Sequence, residues 1–193
     1  MKQYKKVEKL EKFSFAVLKI PGSKSYTQRA LLCASMCEDT SQIIMPILCE
    51  DVLLLKEALK KVGVDIETYN FGFSVKGTIF PALEGEVFFG NNGTGSRFFL
   101  AYACLGKGKG VKIYGVPRLH ERPMGVLIEA LRKLGANITC LEKEGFLPVV
   151  VRNGNIKKTS LKLPGNISSQ FFSAIMLISP VIENEMEIYI EGE

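Results

Sequence analysis

The fold of this 193-residue chain is decided by one stretch, Pro21-Gly22-Ser23-Lys24-Ser25-Tyr26-Thr27-Gln28-Arg29-Ala30-Leu31-Leu32. It follows an alternating run from Phe13 to Ile20, which predicts a strand, and it opens an apolar run from Ala30 to Met36, which predicts a helix. The free N–H groups of a first helical turn and the positive end of its dipole favour a phosphate or carboxylate. The stretch therefore predicts an anion-binding helix start. A capped helix with two surface cations is the alternative that it leaves open.

The same helix start recurs twice along the chain. Gly22-Ser23-Lys24-Ser25 has counterparts in Gly93-Thr94-Gly95-Ser96-Arg97 and Gly165-Asn166-Ile167-Ser168-Ser169-Gln170, and the leading glycines stand 71 and 72 residues apart. A second helix repeats at the same interval, since residues 57–63 match residues 129–135. Both copies end with a basic turn and a glycine, which is a helix C-terminal signal. The chain is therefore a repeat of about 72 residues.

Short apolar runs between and after these helices predict strands. They lie at residues 42–44, 64–68, 71–76, 111–114, 136–141, 146–151 and 187–190. The unit is thus β-α-β-α-β-β, and we predict an α/β (α+β) fold in which the repeated units form a pseudo-threefold globule. The first-helix N-termini are expected to converge on one rim, as anion sites around one pocket. An open solenoid is the alternative arrangement.

The repeat also predicts the domain organisation. Residues 1–20 form an N-terminal segment and lead-in strand, and residues 21–193 form a globule with units near 21–90 and 91–160 and an incomplete third unit at 161–193. A complete third unit would need a second helix and a hairpin beyond Glu193. We therefore expect a fragment of a longer protein, or a short variant completed by another chain. The apolar surface left uncovered is expected to favour self-association.

Composition narrows the class of protein. The net charge of +5 suits small anionic substrates and nucleic acids alike. Five cysteines without a Cys-x-x-Cys pair indicate reduced thiols, and Cys33 and Cys37 are expected to pack in the core rather than bind a metal. The sequence contains no apolar run as long as a membrane span and shows no signal peptide, so we expect a cytoplasmic location.

Four motifs carry a family resemblance. They are Pro21-Gly22-Ser23-Lys24-Ser25 with Arg29, Gly90-Asn91-Asn92-Gly93-Thr94 with Arg97, Pro117-Arg118-Leu119-His120-Glu121-Arg122-Pro123, and Ser168-Ser169-Gln170-Phe171. In this order the chain resembles the N-terminal half of 5-enolpyruvylshikimate-3-phosphate synthases (3-phosphoshikimate 1-carboxyvinyltransferases). The resemblance implies one half of a two-globule enolpyruvyl transferase fold, an inside-out α/β barrel whose globules each contain three such units.

The resemblance also implies an activity. Enzymes of this family transfer the enolpyruvyl group from phosphoenolpyruvate to the 5-hydroxyl of shikimate 3-phosphate and release phosphate. The reaction belongs to the shikimate pathway, which leads to chorismate and the aromatic amino acids. It implies no metal or organic cofactor, two small anionic substrates and a usually monomeric full-length enzyme. Anionic substrates require several cations and helix starts around one cleft.

Individual residues acquire roles by the same resemblance. The shikimate 3-phosphate site corresponds to Lys24, Ser25, Arg29, Ser168, Ser169 and Gln170. The phosphoenolpyruvate site corresponds to Lys24, Gly93, Arg122 and Gln170. Gly93 also marks the position at which the herbicide glyphosate competes, where glycine resembles the sensitive type.

Proton transfer is not expected from this chain. The acidic residues assigned to it belong to the other half of the family enzyme and are expected beyond Glu193. We therefore assign no catalytic residue here and expect the isolated chain to be inactive. His120, the single histidine, is interpreted as a surface or rim residue. Arg97 and Arg118 are interpreted as structural ion-pairing residues or as sources of a long-range field.

Other functions stay open at this point. A UDP-N-acetylglucosamine enolpyruvyl transferase-like enzyme has the same architecture but a reactive cysteine in the loop that corresponds to residues 115–121, where this chain has none. An RNA 3′-terminal phosphate cyclase would need a catalytic histidine and nucleotide contacts. A non-catalytic anion-binding or nucleic-acid-binding domain fits the basic charge, although no basic run is interleaved with aromatic residues.

Overall fold

The computed structural model describes residues 4–9, 15–18, 20–157, 160–182 and 185–192. The helices are α1 (Lys24–Ser35), α2 (Glu50–Lys61), α3 (Gly93–Ala103), α4 (Pro117–His120), α5 (Gly125–Leu134) and α6 (Ser169–Ile178), with a 3₁₀ turn over Ser179–Val181. The strands are β1 (Thr40–Ile44), β2 (Asp65–Tyr69), β3 (Gly72–Lys76), β4 (Ala82–Leu83), β5 (Glu86–Phe88), β6 (Lys107–Gly108), β7 (Val111–Tyr114), β8 (Asn137–Cys140), β9 (Val149–Arg152), β10 (Ser160–Pro164) and β11 (Glu187–Glu191).

The element order confirms the predicted repeat. Strand β5, helix α3, strand β7, helix α5 and strands β8 and β9 occur in this order as a complete β-α-β-α-β-β unit, with the short elements β6 and α4 between them. The sheet of this unit has the order β5-β7-β9-β8. The elements from α1 to β3 repeat this order without a first strand, and β10, α6 and β11 begin it again. In both units that have a first strand, that strand lies parallel to the second.

The lead-in strand predicted from Phe13 to Ile20 is wrong for its described residues. Residues 15–18 and 20 form no strand, and residues 13, 14 and 19 lie outside the described part of the chain. The side chains of Phe15, Val17 and Leu18 are exposed. An extended segment becomes a strand only when its backbone groups find a partner. The alternating pattern predicted the local conformation without providing that partner.

Other helix and strand boundaries differ from the predicted ones by a few residues. Helix α1 begins at Lys24, ahead of the apolar run at Ala30, because the Ser23 side chain caps it by accepting a hydrogen bond from the Tyr26 N–H at 3.4 Å. Strand β9 begins at Val149 rather than Phe146, since residues 141–148 form bends and a turn. The short β4–β6 pair was not predicted.

Helix α3 lies at the centre of the core. Residues 98–103 are completely buried, and α1, α2 and α6 pack around this helix. A helix that is apolar around its whole circumference is typical of such a position. The sheets lie outside the helices: β1-β3-β2 packs on α1 and α2, and β5-β7-β9-β8 packs on α2, α3 and α5. This layering leaves the first turns of the central helices at one end of the globule.

The cysteines were predicted only in part. Cys33 and Cys37 are exposed, so their predicted core position is wrong, because α1 directs Leu31, Leu32 and Ala34 inward instead. All five cysteines are free thiols, as the sequence indicated.

Apolar surface is exposed on α6 and β11. A groove of about 330 Å³ lies on α6 and β11, and its lining includes Phe172, Met176, Met186, Ile188 and Ile190. The exposed fractions of Met176 and Ile190 are 59% and 66%. Self-association through this surface stays a prediction.

The last residue of the predicted globule, Glu193, lies outside the described residues. The final described element of the third unit is β11, which ends at Glu191. The second helix, the hairpin and the proton-transfer residues expected beyond Glu193 therefore stay predictions.

A candidate anion site at three helix N-termini

A polar cavity lies where three helices begin. Its volume is about 410 Å³, and it is lined by Ser25, Tyr26, Arg29, Thr94, Ser169 and Gln170. These residues come from the first turns of α1, α3 and α6, together with the next turn of α1. The predicted convergence of the first-helix N-termini is therefore confirmed. The positive ends of three helix dipoles meet at one cavity, which favours an anionic ligand.

Lys24 lies in the first turn of α1 and pairs with Asp51 of α2. The distance from Nζ to the Asp51 Oδ2 atom is 2.8 Å. The hydrogen bond that Lys24 donates to Asp51 raises the pKa of Lys24 above its ordinary value of 10.5, although desolvation and the nearby charge of Arg122 oppose the shift. The stability from this pair is fully present below pH 10.5 and is lost as the pH rises through the raised pKa. Because half of the Lys24 side chain is exposed, that contribution is small.

Arg29 is fixed beside the cavity by neutral partners. Its Nη1 atom donates to the Ser25 carbonyl at 3.2 Å, and its Nη2 atom donates to the Ser173 hydroxyl at 3.1 Å. The guanidinium carbon lies 4.9 Å from the centre of the Phe98 ring. No carboxylate within the described ranges pairs with it. The planar cation is therefore held in place with its charge available to a ligand.

Asn92 joins the starts of α2 and α3. Its Oδ1 atom accepts a hydrogen bond from the Gly95 N–H at 2.8 Å, which caps α3, and its Nδ2 atom donates to the Asp51 carbonyl at 2.7 Å. The side chain is completely buried. Sequence reasoning placed Asn92 in a motif without a role of its own and did not identify Asp51. The preference for asparagine at N-caps was the signal that could have found the first of these contacts.

We expect Asn92→Ala to lower the free energy of unfolding by about 1–3 kcal/mol, because it removes a helix cap and leaves the partly buried Asp51 carbonyl without its donor. Asn91→Ala, at the exposed neighbouring position, is the matched control and should change stability little. Urea unfolding of both variants measures the difference. Equal midpoints for the two would contradict the capping role of Asn92.

Gly93 begins α3 directly against Arg122. A Cβ atom at residue 93 would stand 2.8 Å from the Arg122 Nη1 atom and 3.4 Å from its Cδ atom. The two residues associated with phosphoenolpyruvate by resemblance are therefore in contact. A side chain at residue 93 would therefore displace the end of the flexible Arg122 side chain.

We expect Gly93→Ala to displace the Arg122 guanidinium, and the family resemblance of both residues then predicts about 10- to 100-fold weaker phosphoenolpyruvate binding, because small displacements of a binding group have large effects. Gly125→Ala is the matched control, since Gly125 also begins a helix but a Cβ there would meet nothing closer than 3.5 Å. The KM for phosphoenolpyruvate, measured in a full-length protein that contains this chain, gives the size of the effect. Identical KM values for the two variants would contradict the crowding argument.

Helix α6 begins with Ser169, behind the N-cap Ser168. The Ser168 hydroxyl accepts a hydrogen bond from the Gln170 N–H at 3.4 Å. The Gln170 side chain accepts a hydrogen bond from Arg97 of α3, with 2.5 Å between Nη1 and Oε1. Arg97 forms no ion pair with a described carboxylate, so its interpretation as an ion-pairing residue is wrong.

A second cavity has a different character. It has a volume of about 440 Å³ and lies between the residues before α1, the loop after β1 and the turn between β2 and β3. Its lining includes Ile20, Met45, Ile47, Leu48 and Phe71 and contains no charged side chain. The smaller cavity at the helix starts therefore suits an anion better.

Two kinds of feature are absent from the described residues. No helix there is long and apolar enough to cross a membrane. These residues also hold no group of three or more His, Cys, Asp or Glu side chains placed to bind a metal ion.

Comparison with known sequences decides the family. A sequence model of EPSP synthase (3-phosphoshikimate 1-carboxyvinyltransferase) matches residues 7–193. The chain belongs to the EPSP synthase family. Among curated relatives, the 3-phosphoshikimate 1-carboxyvinyltransferase of Nitrosomonas europaea is 38% identical over 178 residues, which cover 91% of this chain and 41% of the relative. That of Cellvibrio japonicus is 38% identical over 180 residues, covering 91% and 42%.

Solved structures agree with this EPSP synthase assignment. The EPSP synthase of Acinetobacter baumannii matches with a TM-score of 0.79 and 26% identity, covering 91% of this chain and 41% of that one. The enolpyruvyl transferase NikO of Streptomyces tendae matches with a TM-score of 0.55 at 10% identity, covering 83% and 37%, which shows a shared fold alone. The chain thus has the fold of one half of the two-globule enzyme and spans about two fifths of its curated relatives.

The loop before Arg122 contains no histidine that is free to act as a general base. The His120 Nε2 atom accepts a hydrogen bond from the Gly115 N–H at 3.1 Å, which occupies the lone pair that a general base would use. Arg118 forms an exposed ion pair with Glu121, as interpreted from the sequence. Neither residue lines the polar cavity.

Proposed function

We propose that this chain supplies the shikimate 3-phosphate side of a 3-phosphoshikimate 1-carboxyvinyltransferase. The complete enzyme transfers the enolpyruvyl group of phosphoenolpyruvate to the 5-hydroxyl of shikimate 3-phosphate and releases phosphate. The observation that carries the proposal is the polar cavity at which α1, α3 and α6 begin, because the Arg29 guanidinium in its lining and the positive ends of three helix dipoles favour an anionic substrate. The proposed globule is residues 21–193, with unit boundaries near residues 90 and 160.

Each helix start has its own proposed task. The first turn of α6, with Ser168, Ser169 and Gln170, binds the phosphate of shikimate 3-phosphate through hydroxyl and N–H donors. Ser25 and Arg29 of α1 bind the rest of that substrate, and the planar guanidinium suits its carboxylate. All of these residues except Ser168 line the cavity directly.

Phosphoenolpyruvate is proposed to bind between α1 and α3. Lys24 contacts both substrates, while Gly93 permits close approach of the ligand beside the Arg122 guanidinium. Gln170 lies at the boundary between the two substrates. The contacts support this grouping. Gly93 lies against Arg122, and the positive charge of Arg122 is close enough to Lys24 to oppose the rise of its pKa.

In this scheme the chain binds the two substrates but transfers no proton. The carboxylate that the structure places beside the proposed site is Asp51, and it is engaged by Lys24 at 2.8 Å. The carboxylate oxygen is thus occupied by the Lys24 ammonium, and the acidic residues proposed for proton transfer are expected beyond Glu193. We therefore expect no phosphate release from the isolated chain, and clear turnover by the purified 193-residue protein would contradict this expectation.

Ligand-dependent thermal stabilisation tests the proposed function. Shikimate 3-phosphate should raise the melting temperature of the 193-residue chain, because a ligand that binds only the folded state stabilises it. Shikimate, which lacks the phosphate, is the matched control and should stabilise less. Stabilisation by an oligonucleotide alone would support the nucleic-acid-binding alternative. Stabilisation by a UDP-sugar alone would support the UDP-N-acetylglucosamine alternative.

A further inference from the structure

Arg97 lies in α3 and contacts Gln170, which lines the polar cavity, yet the proposed function gives Arg97 no task. It is partly buried, and burial and the charge of Arg122 lower its pKa, although a guanidinium stays charged in proteins. Its Nη1 atom donates to Gln170 Oε1 at 2.5 Å, and its Nη2 atom donates to the Pro123 carbonyl at 3.4 Å. The guanidinium carbon lies 5.1 Å from the centre of the Phe171 ring. Arg97 thus reaches from α3 to the first turn of α6.

The contact with Arg97 fixes which way the Gln170 amide faces. An arginine side chain has N–H donors and no acceptor, so the atom that it contacts must be the amide oxygen. The nitrogen end of the amide, Nε2, forms no hydrogen bond with any residue in the described ranges, and Gln170 lines the polar cavity. Without this partner, the two ends of a glutamine amide are nearly equivalent in shape and can exchange places.

We propose that Arg97 is a positioning residue that orients the Gln170 amide so that its N–H groups are available to an anionic substrate. This inference rests on the proposed function, in which Gln170 contacts both substrates. The planar shape of the Arg97 guanidinium, rather than its charge, is the property that orients the Gln170 amide. A lysine at residue 97 would keep the positive charge but lose the planar fork that holds the amide oxygen.

A double-mutant cycle on shikimate 3-phosphate binding tests the proposal. Arg97→Lys and Gln170→Ala should each weaken binding to the 193-residue chain by about 10-fold, the size of one hydrogen bond to a charged group. The double variant should bind about as well as Gln170→Ala, because Arg97 acts through Gln170. Arg152→Lys is the matched control, since Arg152 is exposed and contacts Thr139 on a sheet outside the cavity. It should bind like the unaltered chain.

Nuclear magnetic resonance of the side-chain amide gives a readout that needs no ligand. The ¹⁵N signal of the Gln170 amide, identified by its loss in Gln170→Ala, should report an ordered group in the unaltered chain and a mobile one in Arg97→Lys. An equally ordered amide in both proteins would overturn the proposal, as would losses of affinity that multiply in the double variant. If Arg97→Lys does not fold, Arg97→Gln takes its place in both measurements. Failure of the unaltered chain to bind shikimate 3-phosphate would count against the proposed function, and the amide signal would still decide the role of Arg97.

Discussion

Replacing Lys24 by methionine is expected to lower kcat/KM of the family-length enzyme by about 100-fold or more. The ammonium is proposed to contact both anionic substrates, and each charge-assisted hydrogen bond contributes about 1.5–3 kcal/mol, or roughly 10- to 100-fold in affinity. The structure places this ammonium in the first turn of α1, next to the polar cavity and within the field of Arg122. Methionine keeps much of the length of the side chain and removes its charge.

The fold itself should tolerate the Lys24→Met change. The Lys24–Asp51 pair is partly exposed, and such pairs add at most about 1 kcal/mol to the free energy of unfolding. Lys60→Met is the matched control, because it makes the same charge change at an exposed position in the last turn of α2. Calorimetric titration of the 193-residue chain with shikimate 3-phosphate gives the binding part of the effect. Equal affinities of the two variants would contradict a direct role for Lys24.

Replacing Phe99 by alanine is expected to lower the free energy of unfolding by about 3–5 kcal/mol, the usual cost of removing a buried aromatic ring. Phe99 is completely buried in α3. The centre of its ring lies 5.3 Å from that of Phe89 and 6.5 Å from that of Tyr102. No small side chain could fill the space between these rings, so a cavity would remain at the centre of the core.

The matched control for Phe99→Ala is Phe71→Ala, since the Phe71 side chain is 70% exposed. It should change the free energy of unfolding by less than about 0.5 kcal/mol, as most surface substitutions do. Urea unfolding of the chain without ligand measures both variants, and an unchanged slope would show that the unfolded state is unaffected. If both variants unfold at the same urea concentration, α3 is not the centre of the core.

The helix starts could be predicted because their signals are local. Ser23, Asn92 and Ser168 cap their helices through N–H groups that lie two or three residues further along the chain. An apolar run follows each cap closely, so the pattern is complete within one short stretch. The lead-in strand shows the opposite case. Its alternating pattern was clear, but a strand needs a partner, and its described residues have none.

The contacts that arrange the site could not be predicted because their partners are remote in sequence. The Asn92 side chain binds a carbonyl 41 residues away, Arg97 binds a side chain 73 residues away, and Arg29 binds one 144 residues away. Motif spacing gave the residue types at each helix start. It did not predict that Arg97 would hold Gln170 rather than an acidic partner.

The sequence by itself determined the repeat, the helix starts and the resemblance to the EPSP synthase family, because each of these depends on residues close together in the chain or on their order. The tertiary structure alone decided that three helix starts share one cavity, that Asp51 pairs with Lys24, and that Arg97 donates a hydrogen bond to Gln170. The physical reason is the packing of α1 and α6 against the buried helix α3. That packing sets the distances between first turns, and these distances determine which side chains can form hydrogen bonds.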